Sequence, residues 1–259
     1  MMKRWIYAAA AVLVAATVVF CAYHASAGER GKGKDRVLSK VRFIHFKKGH
    51  GKPPWAGSDK GGGKKEEEGY YTYIAKGAKW KAIEGYVLNP DCDENLSTNQ
   101  VLDATIAGMD EWETPEEATL DIFGKIDVAQ TGPDSELVAY RDGAWRGYNT
   151  ISFGSYGDAN VIAETTVWGY FTGRPSEREI VEAHIQMNDD VVWGDATVNT
   201  SLMDVQNIMT HELGHCAGMG DLYELAAGQE TMYGYSEEGE TKKRDLYKGD
   251  VTGITDLYK

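Results

Sequence analysis

The chain has 259 residues, 42% of them hydrophobic, and its 27 Lys and Arg against 40 Asp and Glu give a formal net charge of −13. That balance excludes a general nucleic-acid binder, whose affinity rests on a basic surface, and no groove-reading motif compensates for it. With the N-terminus set aside, about 190 residues remain, enough to bury one core as a single domain.

Residues 1–27 read as a targeting segment. Lys3 and Arg4 form a basic start, Ile6 to Tyr23 is an apolar run, and Ala25-Ser26-Ala27 is an A-x-A cleavage site. The run is long for a signal peptide and short for a membrane span, so the segment is expected to be cleaved after Ala27 or to persist as an anchor. Either outcome places the remaining chain outside the cytoplasm, secreted or tethered to the surface. Residues 28–69 are rich in Gly and Lys and are expected to form a flexible linker or short pro-segment with no core of its own. Residues 1–69 hold 14 Lys and Arg against 6 Asp and Glu, net +8, while residues 70–259 hold 13 against 34, net −21. A basic tail on an acidic domain can cling to an anionic membrane or cell surface, fold back on its own domain, or remain solvated.

From residue 70 onward, strands and helices alternate. A short apolar strand runs from Gly85 to Asn89 and is closed by Pro90. Ser97 can cap a helix reaching about Trp112, with Val101, Ile106, Met109 and Trp112 as its apolar stripe. Further strands are expected around Leu120 to Val128, at Ile151 and Phe153, and from Val161 to Trp168. Between 181 and 188, Val181, Ala183, Ile185 and Met187 alternate with Glu182, His184, Gln186 and Asn188, the pattern of a strand with one wet face. His184 is thereby expected on the strand surface. Asp204 can cap one helix, and Asp250 another on which Val251, Ile254 and Leu257 share a face.

The second of these helices carries the chemistry. Residues 211–221 read HELGHCAGMGD. His211 and His215 are four apart and project from one helical face, where two neutral imidazoles can hold a zinc ion with Glu212 placed as general base. Gly218 can adopt the left-handed conformation that ends a helix and turns the chain back, giving Asp221 a route to the metal as third ligand. Glu224 is a rival if that turn differs. Glu237, Glu238 and Glu240 would suit the role only on a further helix, and their polar surroundings read as loop.

At these residues the chain resembles the metzincin clan of zinc endopeptidases, in a variant with Asp as third ligand such as snapalysin. Thr231-Met232-Tyr233 resembles the Met-turn of matrixins, and residues 250–258 resemble their closing helix. Residues 162–166 and 182–188 resemble two of their strands, with His184 where Asp is usual. The likeness covers roughly residues 70–259. It implies an α/β (α+β) fold, a twisted mixed sheet with an active-site helix and a C-terminal helix. It further implies one catalytic zinc on His211, His215 and Asp221, with Met232 as a packing floor beneath it. Zinc so held lowers the pKa of a bound water, whose proton Glu212 takes. The charge of Asp221 makes such a centre less electrophilic than one with three histidines. A substrate peptide is expected to lie extended along the edge strand at 161–168. Tyr233 and Tyr235 are candidates to contact the substrate or its oxyanion. The cysteine-bearing switch peptide of matrixin pro-domains has no counterpart, since no Cys lies between Cys21 and Cys92.

Two further expectations concern bracing. Cys92 and Cys216 form an even pair outside the cytoplasm, and a disulfide between them would brace the metal helix; two buried thiols are the alternative. Asp91, Asp93, Glu94 and Asn95, or Asp158 with Asn160, offer oxygen ligands for calcium. The reading is thus a monomeric zinc endopeptidase acting on protein or peptide. Its alternatives are a zinc protein that binds without hydrolysis, against which an intact Glu212 argues, and a protease acting mainly on its own linker.

Overall fold

The computed structural model describes residues 36–49, 69–92, 96–115, 119–129 and 145–259, so the targeting segment and most of the basic tail lie outside the described residues. Seven strands form one sheet in the order β3-β2-β4-β6-β5-β1-β9. They are β1 (Ser39–Lys47), β2 (Glu84–Leu88), β3 (Phe123–Val128), β4 (Asn149–Phe153), β5 (Val161–Tyr170), β6 (Glu179–Met187) and β9 (Tyr235–Ser236). Two short parallel strands, β7 (Trp193–Gly194) and β8 (Met203–Asp204), pair separately. Strands β3, β2, β4 and β6 run parallel, β5 is antiparallel to β6, β1 is antiparallel to β5, and β9 is parallel to β1. The helices are α1 (Thr98–Glu113), α2 (Val205–Ala217) and α3 (Lys248–Tyr258). This is the expected α/β architecture, a mixed sheet with a central helix and a C-terminal helix.

Strand β1 is the principal departure from the sequence reading, since it lies inside the stretch expected to be a linker. Its residues alternate Val41, Phe43 and His45 toward the protein with Lys40 and Arg42 outward, a period-two pattern that the surrounding Gly and Lys conceal. It also changes the status of β5. Expected at the sheet edge, β5 is paired on both sides, by β6 and by β1. Strand β6 differs from expectation too, because a central strand has both faces covered. Its polar alternate residues are therefore buried, and Glu182 and His184 are hydrogen-bonded there. Glu182 accepts the backbone N–H groups of Arg146 and Gly147, while His184 lies 2.7 Å from both Glu182 Oε1 and Thr150 Oγ1.

Helix α1 begins at Ser97, which forms a capping box with Gln100. It buries Val101, Met109 and Trp112, whereas Ile106 is exposed. Gly108 lets α2 come close, for a Cβ there would lie 2.9 Å from Leu213 Cδ1. Trp112 Nε1–H donates to Thr210 O at 2.7 Å, fixing α2 along its length. At the start of α2, Asp204 is fully buried and accepts the N–H groups of Asn207 and Ala196, both at 2.8 Å. Arg244 completes its shell with a two-pronged ion pair. Replacing Asp204 by Ala removes a cap and leaves Arg244 and two amides without their acceptor. We expect a loss of about 2–3 kcal/mol and a Tm lower by roughly 5–10 °C. A thermal melt within about 1 °C of wild type would show that α2 does not depend on this cap.

Candidate metal centre and cleft

Helix α2 ends at Gly218, whose φ of 108° lies in the left-handed region that an L side chain resists. A Cβ at this position would also stand 2.8 Å from Ala78 O. The reversal brings Asp221 back over the helix. His211 Nε2 and His215 Nε2 lie 3.2 and 3.3 Å from Asp221 Oδ1, and all three side chains are almost wholly buried. The far nitrogens are committed to carbonyls, His211 Nδ1 to Thr231 O at 2.7 Å and His215 Nδ1 to Met219 O at 3.0 Å. Because a carbonyl only accepts, each Nδ1 carries a hydrogen, and each ring in its neutral form points a lone pair from Nε2 at the carboxylate.

Three acceptors facing one another in a buried space are unfavourable unless a cation lies between them. His211 Nε2 and Asp221 Oδ1 indeed have no hydrogen-bond partner. Their separations match the edge of a tetrahedron of about 3.3 Å expected for donors about 2.0–2.1 Å from a zinc ion. The residues therefore fit the metal. A second group, His45, His211 and Glu212, also lies within ligand distance. There, however, His45 and Glu212 already satisfy each other, with Nδ1 3.0 Å from Oε1. Glu224 is in neither group.

Met232 is buried beneath α2, against Gly214, where a Cβ would lie 2.3 Å from its Sδ. Buried Asp250 accepts the N–H groups of Thr231 and Met232, tying this turn to α3. Asp250 was expected as the cap of α3; it is instead the third residue of that helix, and accepts Tyr247 N–H at 3.1 Å.

Glu212 is fully buried, and burial pushes its carboxyl up to about 7 against the opposing pull of His215 and the Thr165 hydroxyl. Thr165, on β5, donates to Glu212 Oε2 at 2.5 Å. The cleft above the centre, between β5 and β9, is filled by β1. Phe43 stacks on His215 with ring centroids 3.9 Å apart, and His45 lies against His211 at 4.0 Å.

Residues 157–259 match the matrixin family model. Over that stretch the chain is similar to the matrixins. No curated protein matches the chain. The matched region includes α2, Gly218, Asp221, Met232 and α3, while β1, α1 and the first strands of the sheet lie before it.

Several side chains stand elsewhere than expected, or were not anticipated at all. Tyr223 was not singled out from sequence, yet its hydroxyl donates to Asp221 Oδ2 at 2.9 Å. Only its spacing of two from Asp221 hinted at it. Tyr233 and Tyr235, the expected contacts, form a ring cluster with Tyr223 and turn their carbonyls to the Nζ of Lys243. No disulfide joins Cys92 and Cys216. Cys216 lies in the core beside the Tyr86 hydroxyl, and burial pushes its thiol well above its usual range. Of the candidate calcium ligands, residues 93–95 lie outside the described residues. Asp158 spends a carboxylate oxygen on Asn160, in a turn. Tyr223→Phe removes the one hydroxyl that orients Asp221, so the zinc dissociation constant should rise about tenfold or more in a chelator competition. An unchanged constant would mean that Asp221 is held without Tyr223.

Proposed function

We propose that the chain is a zinc-dependent endopeptidase that acts on proteins or peptides outside the cytoplasm. One observation carries the reading: three potential metal-donor atoms, on His211, His215 and Asp221, converge in a buried space beside the carboxyl of Glu212. Zinc bound there would supply a Lewis acid and a water acidic enough to attack a carbonyl at neutral pH. Glu212 has the position and the raised pKa of a group that takes a proton from the nucleophile and returns it to the leaving amine. Thr165 steadies its other oxygen. The side of β5 that β1 occupies would pair with an extended peptide once β1 is displaced, and the ring cluster of Tyr223, Tyr233 and Tyr235 borders Asp221. Export is assigned to residues 1–27 on their sequence, with cleavage after Ala27 giving a secreted form and retention a tethered one.

Because β1 lies over the centre, the test uses the full chain in two forms, wild type and Phe43→Ala/His45→Ala, each with and without Glu212→Ala. Zinc is measured per chain, and cleavage is followed on unfolded casein. The expected result is one zinc in all four proteins and cleavage that falls by about 10²- to 10⁴-fold whenever Glu212 is absent. Zinc without cleavage in any of the four would favour a binding protein, and no zinc in any would remove the basis of the proposal.

A further inference from the structure

Strand β1 lies outside the matched region and touches the centre directly, through Phe43 on His215 and His45 against His211 and Glu212. It pairs with β5 from Ser39 opposite Gly169 to Phe46 opposite Val161, and with β9 at Phe46 and Lys47. Charged ends hold it in this register: Arg42 makes a forked ion pair with Glu164, Lys47 reaches Glu238, and Lys48 reaches Glu237. Main-chain pairing along a strand edge, with alternate side chains dropping into pockets, is how an extended peptide is bound. Here the peptide belongs to the chain itself.

The pocket that receives His45 has an unusual floor. Lys243 is fully buried, and its Nζ donates to the carbonyls of Tyr233 and Tyr235, the latter at 3.1 Å. The third partner of Nζ is His45 Nε2, at 3.3 Å. An ammonium has three hydrogens to give and no lone pair to receive one. His45 Nε2 is therefore an acceptor, the ring carries its hydrogen on Nδ1, and that hydrogen goes to Glu212 Oε1. Ser236 Oγ lies 3.2 Å from the same Nε2. The neutral imidazole thus spans the distance from Glu212 to a buried cation, and the far end of the pocket requires a lone pair. An aliphatic side chain of equal size would fill the space and leave one N–H of Lys243 buried without an acceptor.

We propose that residues 39–47 are the cleft's own peptide ligand, and that the pocket holding His45 selects, through Lys243, a side chain with a hydrogen-bond acceptor at its tip. Imidazole, carboxamide and carboxylate side chains meet that condition; Leu, Ile and Val do not. A substrate must then displace β1 and present such a residue at the same place. This last step rests on the endopeptidase reading, whereas the pocket's preference does not.

The test is a substitution cycle in the full-length, zinc-loaded protein, read by hydrogen–deuterium exchange of the amides of residues 39–47. His45→Gln should keep β1 protected, and His45→Leu should speed its exchange at least tenfold while the amides of β6 stay unchanged. In the Lys243→Met background the order should reverse, with Leu protecting at least as well as Gln. The two His45 variants leave the pocket intact and decide the question even if Lys243→Met fails to fold. Cleavage sites in casein, mapped by mass spectrometry for the Phe43→Ala/His45→Ala protein, should carry His, Gln, Asn, Glu or Asp at one fixed position from the broken bond. Equal exchange for Gln and Leu at position 45, or cleavage before aliphatic residues as readily, would overturn the selectivity. Free exchange of β1 in the wild type would overturn its role as ligand. Protection that depends on residue 45 as described, with zinc bound and casein intact throughout, would leave the pocket inference standing and remove the endopeptidase reading.

Discussion

The centre depends on a single reversal of the chain. His211 and His215 are neighbours because any helix places residues four apart on one face, but Asp221 meets them only because the helix stops at Gly218 in a left-handed conformation. The rest of the domain holds that reversal and the helix before it. Asp204 and Arg244 fix the start of α2, and Trp112 and Gly108 fix its flank. Below, Met232 fits the hollow left by Gly214, and Asp250 holds the Met232 turn to α3 through two backbone N–H groups. Each support is a contact between segments distant in sequence, so the ligand geometry depends on tertiary packing.

Local rules exposed much of this in advance. The HELGHCAGMGD segment encodes its own helix, stop and return, since donor spacing and the glycine are both short-range signals. Caps at Ser97 and Asp204 and the strands β2 to β6 follow equally from local pattern. Long-range features were hidden. Strand β1 has a clear alternation, but its partner is more than a hundred residues away and its neighbours in sequence are those of a solvated tail. His184 and Glu182 look like a wet face until the sheet order makes β6 central. Lys243 carries no sequence signal and Tyr223 only its nearness to Asp221, because an isolated Lys or Tyr in a polar stretch is ordinarily at the surface. Asp250 was seen as a cap, while its second task, holding the turn at Thr231 and Met232, required the fold.

The electrostatics of the centre follow from its dryness. Burial raises Glu212 and lowers Lys243 to about 8, each in the direction that disfavours an isolated charge. His45 lies between them, and as a neutral ring it can give a hydrogen to one and accept from the other. One imidazole therefore links the group proposed as general base to a buried cation. The same stacking that places it there puts Phe43 over His215. The segment that completes the hydrogen bonding of the cleft also covers it.

Two overlapping groups of potential ligands share His211, and the account requires the metal to choose the one with Asp221 over the one with His45. Zinc affinity of the full chain, measured for wild type, His45→Ala and Asp221→Ala, decides between them. The prediction is that His45→Ala binds zinc within about threefold of wild type, while Asp221→Ala binds at least a hundredfold more weakly. Zinc lost with His45 and retained without Asp221 would contradict the centre described.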